Sequence, residues 1–364
     1  MRKHIPQDIF LLTCLSSFIL ILCIIGLWPF NFFQLNMVSQ DTVGGLCLNR
    51  PAIVYTEIPP EKLLALKEFT ILLCLSSALS DSRNFATIFG YSLDDEHFNF
   101  MIVQWRNRLV FKLNTVGMKG GIYFAIDNFF VKDKKVWIAI VCDGNKLSCY
   151  QDGEIKGEKI TGPLNFSNWV STYPLVIGSQ STGKSFWKGN IYSIGVFNQP
   201  LSQKEIKGLP IHAEEFSSLI YYSFTDSSGS TVTDHGKGQP ANLKIPQYFR
   251  PYKRILLEKL PISFNYYRHN LSDLIINIIG FIPFGFLLSI YLTRKGLNLG
   301  STLILCMVFG FTISLTIEVV QAFLPSRSSD MIDIVTNTLG TAIGFFVCRL
   351  KQPRVQLTSS LMKD

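Results

Sequence analysis

Four apolar runs at the two ends of this chain constrain it most. Residues 9–28 contain no charge, and twenty residues of helix cross about 30 Å of hydrocarbon. Three more runs lie at 274–292, 300–324 and 331–348. The first of these has no charge, the second only Glu318 and the third only Asp333. Inside a bilayer only helices and closed barrels satisfy every backbone group, and runs of this length read as helices. The first run has a rival reading as a signal peptide. It is longer than a usual signal core and no small-x-small cleavage site follows it. It ends instead on Trp28-Pro29-Phe30-Asn31-Phe32, an aromatic interface belt with a helix-stopping proline. A retained anchor is expected.

The rest of the chain has a different texture. Charged residues are only 16% of the 364, against about 25% in ordinary soluble domains, because the apolar runs dilute them. Between the runs, residues 38–250 are soluble in composition and rich in short β-branched and aromatic stretches at 69–75, 98–105, 109–113, 121–126 and 136–141. Asp143-Gly144-Asn145 reads as a hairpin turn into 147–151, and Asp152-Gly153 as a second turn. Many short strands closely spaced predict an antiparallel sandwich. Aromatics at 13% with low charge exclude disorder for most of the chain.

Topology follows from the cations. Arg2 and Lys3 precede the first run, Arg294 and Lys295 join the second and third, and Arg349, Lys351, Arg354 and Lys363 follow the fourth. The positive-inside rule places both termini and the 293–299 loop in the cytoplasm and the 38–250 domain outside. Lys253, Arg254, Lys259 and Arg268 oppose this, but they belong to a long translocated region, where such charges weigh less. The eight cytoplasmic cations, less Asp8 and Asp364, account for a net +6 of the chain's +8. The basic balance is thus mostly a topology signal, and nucleic acid is not an expected partner.

Ionisable groups inside a membrane are costly and need a partner or a purpose. With this topology, Asp273 and Asn277 begin the second span, Glu318 and Gln321 end the third, and Asp330, Asp333 and Asn337 begin the fourth, all at the outer leaflet. Arg327 sits in the loop between. Helical spacing puts Asp273 and Asn277 on one face, Glu318 and Gln321 on one face with Ser314 behind, and Asp330, Asp333 and Asn337 within about 60° of one another. Gly340 and Gly344 continue that last stripe and would let helices approach closely. Turned inward, the three stripes form one polar pocket. Two readings stand: interhelical glue, and a recognition or catalytic pocket for a polar head group.

These residues carry a resemblance. Asp273-x3-Asn277-x2-Gly280-x2-Pro283-x-Gly285 resembles the second span of VanZ-like membrane proteins. Glu318-x2-Gln321-x3-Pro325-x-Arg327-x2-Asp330-x2-Asp333-x3-Asn337-x2-Gly340 is similar to the signature across that family's last two spans, and Trp28-Pro29-Phe30-Asn31-Phe32 to its motif after the first. The resemblance implies a bacterial inner-membrane protein of a group linked to low-level glycopeptide (teicoplanin) resistance. It does not settle a biochemical activity. In a plain member a shorter stretch joins the first two spans.

The inserted region has its own likeness. The 136–153 hairpin, Leu175-Val176-Ile177-Gly178-Ser179 and the 186–202 segment resemble LamG or concanavalin A-like lectin/glucanase domains. Residues 221–236 are similar to a segment usually found early in such domains, so the closing strands are permuted or in doubt. The resemblance implies a two-sheet jelly roll whose commonest task is carbohydrate binding. A glucanase of this fold needs paired acids on one strand. None occurs here, and the contiguous Asp94-Asp95-Glu96 reads as a solvated loop, so hydrolysis is not expected. Trp105, Trp137 and Trp187 are expected in core or hairpin packing rather than stacked on sugar. Calcium held by Asp226 or Asp234 is the one metal role left open, against ordinary turn residues; no other cofactor is expected.

Other motifs carry less. Gly178-Ser179-Gln180-Ser181-Thr182-Gly183-Lys184-Ser185 has the letters of a phosphate loop but no helix to present its amides. Cys142 and Cys149 lie diagonally on one hairpin, which makes a bridge between them doubtful. Basic residues over 250–268 suit anionic lipid or a plain polar linker.

The expected organisation is therefore a cytoplasmic N-terminus at 1–8, a transmembrane helix at 9–28, an extracytoplasmic jelly roll at 38–250 and a juxtamembrane basic linker at 251–271. A VanZ-like part follows at 272–349, with spans at 272–292, 300–324 and 330–348, and a cytoplasmic tail at 350–364. The fold class is a membrane four-helix bundle with an inserted all-β sandwich. The expected function is envelope recognition. The sandwich would bind a glycan or cell-wall component. In the pocket, Gln321, Asn277 and Asn337 would hydrogen-bond a lipid or precursor head group, Arg327 would pair with its anion, and Glu318 and Asp333 would serve as acid or base. The alternative is a structural protein whose spans only anchor a protein-binding domain. An enzyme acting on a lipid carrier is a third reading.

Overall fold

The computed structural model describes residues 7–41, 44–212, 218–225, 229–258 and 271–351. Arg2, Lys3, Asp226, Lys259, Arg268, Arg354 and Lys363 lie outside the described residues. The chain forms two compact units. One joins Met1–Phe32 to Ile255–Asp364, and the other is Phe33–Arg254.

The second unit is a two-sheet antiparallel sandwich. One sheet runs, in spatial order, Val38–Gln40, Leu46–Leu48, Gly189–Phe197, Phe69–Ser77, Lys135–Cys142, Lys146–Gln151 and Glu154–Ile160, with Ile220–Ser223 also paired to Gly189–Phe197. The other runs Thr231–Val232, Leu243–Lys244, Val54–Thr56, Leu175–Ile177, Ser82–Ser92, Phe98–Arg106, Arg108–Leu113 and Ile122–Ile126. Alternating side chains such as Ile71, Leu73, Phe89, Phe100, Phe111, Ile138, Ile140 and Ile194 fill the space between the sheets. This is the period-2 pattern of a face-to-face sheet pair.

Local chemistry explains the turns. Asp152 and Gly153 both have positive φ (52° and 79°) and join paired residues Gln151 and Glu154. That is the two-residue hairpin geometry Asp-Gly favours. Asp143 Oδ1 accepts from the backbone N–H groups of Asn145 and Lys146, fixing the other turn. Helix α1 is the first span, Gln7–Leu27. Helix α2, Gln203–His212, starts on a Ser202/Glu205 capping box. Ile206 of α2 covers Leu72, Val141 and Phe197 on the outside of one sheet.

The closing segment belongs to both sheets, although its sequence order is unusual. It is held by Asp234, which is 6% exposed. Its carboxylate accepts from Lys62 Nζ at 2.7 Å and from the backbone N–H groups of Tyr221, Gly236 and Ala241. Tyr222, fully enclosed, donates its hydroxyl to the Ala241 carbonyl.

The other unit holds α1 with α3 (Leu271–Arg294), α4 (Leu299–Gln321) and α5 (Met331–Lys351). All four helices are long and apolar enough to cross a membrane. Large apolar side chains face outward along them, among them Ile25, Ile276, Ile304 and Phe346, which suits lipid rather than water. Phe281, Phe284, Leu288, Cys306 and Phe345 pack inside. Asp8, at the start of α1, pairs with Arg294, the last residue of α3, at 3.2 Å and with Lys295, just past it, at 2.9 Å.

Glycines set the helix spacing. A Cβ on Gly340 would stand 2.2 Å from the Ile278 carbonyl oxygen, on Gly344 2.1 Å from that of Ile282, and on Gly285 2.0 Å from that of Thr341. The α3 and α5 backbones therefore touch, as small-residue stripes allow.

Candidate polar site among the membrane helices

Antiparallel neighbours bring the C-termini of α1 and α4 and the N-termini of α3 and α5 to one membrane face. The polar side chains gather there. Ser314, Glu318 and Gln321 share one face of α4 at i, i+4 and i+7, and all three are buried. Glu318, 2% exposed, accepts from the Asp330 backbone N–H through Oε2 at 2.8 Å. Asn337, in the second turn of α5, donates from Nδ2 to Ser314 Oγ at 2.9 Å. Asn277 of α3 lies close to the Asp333 carboxylate, with Asp273 and Asp330 within electrostatic reach of it. Asp330 accepts from Ser328 Oγ at 2.9 Å. Asp273 is exposed at the helix start.

Arg327 is placed differently from the expectation that it receives a ligand anion. Its Nε donates to the Trp28 carbonyl at 3.0 Å and its Nη2 to that of Ile25 at 3.1 Å. Gln321 Nε2 donates to the Gly26 carbonyl at 2.8 Å. These side chains cap the C-terminal carbonyls of α1, where a cation also meets the negative end of the helix dipole. The physical reason is local: a helix end in a membrane has no water to satisfy its last carbonyls.

The site therefore has an excess of acceptors. Gln321 Oε1 and Asn337 Oδ1 are enclosed and accept no hydrogen bond among the described residues. Gln321 is 8% and Asn337 6% exposed. Sequence reasoning placed seven of the eight candidate residues on facing stripes and Arg327 in the loop between two of them. It missed the α1 carbonyls, which no side-chain pattern marks. It also missed the 257–258 segment: Glu258 N donates to the Ser329 carbonyl at 2.7 Å, and the Glu258 carbonyl accepts from Met331 N at 3.1 Å.

In the sandwich, Trp187 is buried and donates Nε1 to Gln104 Oε1 at 2.8 Å. Trp137 packs against the cluster under α2. Trp105 stacks on Phe85 at 5.2 Å, with the Arg106 and Arg108 guanidinium carbons 5.7 and 5.5 Å from its ring. Asp94 caps the 94–97 turn, accepting from the Glu96 and His97 N–H groups, so the acidic run is a loop. A cavity of about 640 Å³ opens among Leu64, Lys67, Glu68, Gly144, Asn165 and Ser167. Asp234 spends its carboxylate on Lys62 and three backbone N–H groups, and no cluster of three metal-ligating side chains occurs among the described residues. Cys142 is opposite Leu147, and Cys149 opposite Ile140. The pair is therefore diagonal, and both thiols are free in this structure. Burial pushes the thiols of Cys74, Cys142 and Cys149 up to about 12.

Comparison with known proteins follows these divisions. Residues 216–352 match the VanZ/LLP1 family model. Residues 54–207 match the concanavalin A-like lectin/glucanases superfamily model. No curated protein matches the chain. Similar solved structures include the Ruminococcus gnavus IT-sialidase CBM40 bound to alpha2,3 sialyllactose, at 12% identity, covering 48% of this chain and 97% of that one, with a TM-score of 0.38. A heptameric SAP-like pentraxin from Limulus polyphemus has 13% identity, 49% and 79% coverage and a TM-score of 0.31. Domain 4 of the Geobacillus stearothermophilus arabinanase AbnA, in complex with arabinotriose, has 14% identity, 47% and 79% coverage and a TM-score of 0.36. The family models, rather than these distant likenesses, carry the assignment. The chain is a membrane protein with a VanZ/LLP1 region and a concanavalin A-like domain inserted after its first apolar helix.

Proposed function

We propose that the membrane unit binds a polar head group in the outer leaflet of a bacterial cell membrane, and that the sandwich stands outside the membrane and engages a glycan or cell-wall component. One observation carries the first part. Glu318, Gln321 and Asn337 are buried at one membrane face beside Asp273, Asn277, Asp330 and Asp333, and burying such groups there without a purpose is costly. The orientation rests on Arg294, Lys295, Arg349 and Lys351 at the opposite face, with both termini cytoplasmic. The glycan reading rests on the superfamily match alone. Arg327 has a holding role toward α1, and no acid–base step is assigned to Glu318 or Asp333.

The test is substitution of Glu318, Asn277 and Asp333 singly, with teicoplanin susceptibility read only in variants that accumulate normally. Altered susceptibility in those variants is the expected result. Wild-type susceptibility in all of them would remove the functional pocket. A second reading, glue, is favoured by the interhelical bonds of Gln321, Arg327 and Asn337. It predicts that these variants fail to accumulate.

A further inference from the structure

We infer that one end of the sandwich is a docking surface for an anionic lipid bilayer, so that the domain stands on the membrane the chain's own helices cross. The strand registers show which loops share that end. Leu48, Gly189 and Ser77 pair across three strands, and Ser76 pairs with Lys135. Ser77 Oγ donates across to Gln104 of the other sheet, where Ala86 pairs with Gln104 and Trp105 with Arg108. The connections 49–53, 78–81, 127–134 and 178–188 and the turn at Asn107 therefore lie at one end. Both chain exits lie there too. Val38 pairs with Leu48, and Leu35 bridges Tyr248, so the entering 33–37 segment runs beside the departing 245–254 segment. Phe33 follows Leu27, the last residue of α1, by a stretch that reaches about 20 Å at full extension.

Charge separates this end from the other. Its connections carry the exposed cations Arg50, Lys132, Lys134, Lys188 and Arg250. Arg83 and Arg106 stand exposed at the strand ends beside them. Of these, Lys132 alone pairs with a carboxylate among the described residues, that of Asp133 at 4.0 Å. The other acids at this end are Asp81, Asp127, Asp152 and Glu154; Asp127 is paired with Arg108 and Glu154 with Lys207. Asp226, in the 224–230 connection, lies outside the described residues and as one further acid leaves the cations in excess. Lys184 and Arg254, at the same end, already interact within the chain and are not needed for that excess. The opposite end carries Glu61, Glu68, Asp94, Asp95, Glu96 and Asp143 in its connections, against Lys62, Lys67 and Lys119, and Lys62 is spent on Asp234. Helix α2 lies along a sheet face, and Glu57 and Lys244 pair with each other, so none of these alters the contrast.

Apolar side chains stand out among these cations. Phe33 is 75% exposed, Leu79 and Val131 are exposed in two of the connections, and the exposed Phe85 stacks on Trp105. Aromatic and aliphatic side chains set among Arg and Lys suit a bilayer interface, where rings lie at head-group level and cations meet anionic lipid. Ile58, Val116 and Met118 are exposed at the opposite end, but there among acids, which an anionic surface repels. The basic end fits the near leaflet on whichever side of the membrane the sandwich stands, so it does not rest on the orientation proposed above. The 640 Å³ cavity belongs to connections of the acidic end, which docking turns away from the bilayer.

Hydrogen exchange of the full-length protein in lipid nanodiscs, read by peptide mass spectrometry, tests this. One set of discs holds phosphatidylcholine alone and the other an equal mixture with phosphatidylglycerol. Amides of 78–81 and 127–134 should exchange about five-fold more slowly in the anionic discs, while those of 93–97 and 114–121 stay unchanged. The slowing should vanish at about 1 M salt, where the Debye length is about 3 Å, and in the double variant Arg83→Glu with Lys134→Glu. Equal exchange in the two kinds of disc overturns the docking surface, as does slowing confined to 93–97 and 114–121. Slowing that survives both salt and the charge reversal overturns an anionic surface as the partner. If soluble poly(glycerol phosphate) slows the same amides in phosphatidylcholine discs and phosphatidylglycerol does not, the partner is a wall polymer and the lipid is overturned. The comparison between discs uses the wild type alone and stands even if the variant does not fold.

Discussion

Alanine at Gly340 or Gly344 probes the closest contact in the membrane unit. The added methyl of Gly340→Ala would lie 2.2 Å from the Ile278 carbonyl oxygen, and that of Gly344→Ala 2.1 Å from the oxygen of Ile282. Both clashes are with backbone, so no rotamer relieves them. Ordinary contact needs about 3.5 Å, so α3 and α5 must part by roughly 1 Å there. A gap of that size forfeits a quarter to a half of each atom-pair attraction nearby, and overpacking of this kind costs about 1–3 kcal/mol. Gly280 supplies the control. It lies on α3 with nothing within 4 Å of its built Cβ, so Gly280→Ala should gain about 0.5–1 kcal/mol of helix propensity. The assay is reversible unfolding of the full-length protein in mixed detergent and SDS micelles, followed by far-UV circular dichroism. Midpoints should fall for Gly340→Ala and Gly344→Ala and hold or rise for Gly280→Ala. Equal midpoints for all three would refute the backbone contact.

Three further perturbations have definite expectations. Asp234→Asn removes the charge paired with Lys62 and turns a donor toward the Ala241 N–H. Breaking such a pair costs about 3 kcal/mol, and maleimide labelling of Cys142 in the full-length chain should accelerate about 100-fold as the sandwich opens. In the wild type, thiols raised to about 12 are almost wholly protonated at pH 8, so Cys142 and Cys149 should label far more slowly than the half-buried Cys47 by peptide mass spectrometry. Gln104→Leu strands the Trp187 N–H, costing about 1–3 kcal/mol; a lower thermal midpoint of Trp fluorescence checks it.

Apolar length made the membrane helices legible in the sequence. A run such as 300–324 can satisfy its backbone only as a helix, and the observed helix, Leu299–Gln321, stops three residues short of that run, within the usual slack of helix ends. The hairpin turns were legible because Asp-Gly selects a turn type. The stripes of the polar site were legible because helical period is fixed. What the sequence could not show is which groups each side chain would spend itself on. Arg327 has the look of an anion receptor, yet it bonds carbonyls of a helix some 300 residues earlier. Backbone carbonyls have no residue code, so a side chain whose partner is backbone is misread from sequence as unpaired. Asp234 looked like a turn residue or metal ligand for the same reason.

The glue and pocket readings divide by position along α5. The stripe that carries Asp333 and Asn337 continues into Gly340 and Gly344. Over the glycines, α3 and α5 touch backbone to backbone, and nothing polar is needed to hold them. At the Asp333 end the helices meet through side chains, where Asn277 lies close to Asp333 and Asn337 reaches Ser314. If adhesion were the whole purpose, the small-residue packing could continue to the helix ends at lower cost than the buried Glu318 carboxyl and amides with unmet acceptors. The glycine contact holds the backbones, and the polar end is what it holds in place. The glycine variants should therefore lower stability, while Glu318→Gln in an otherwise stable protein should change what is bound.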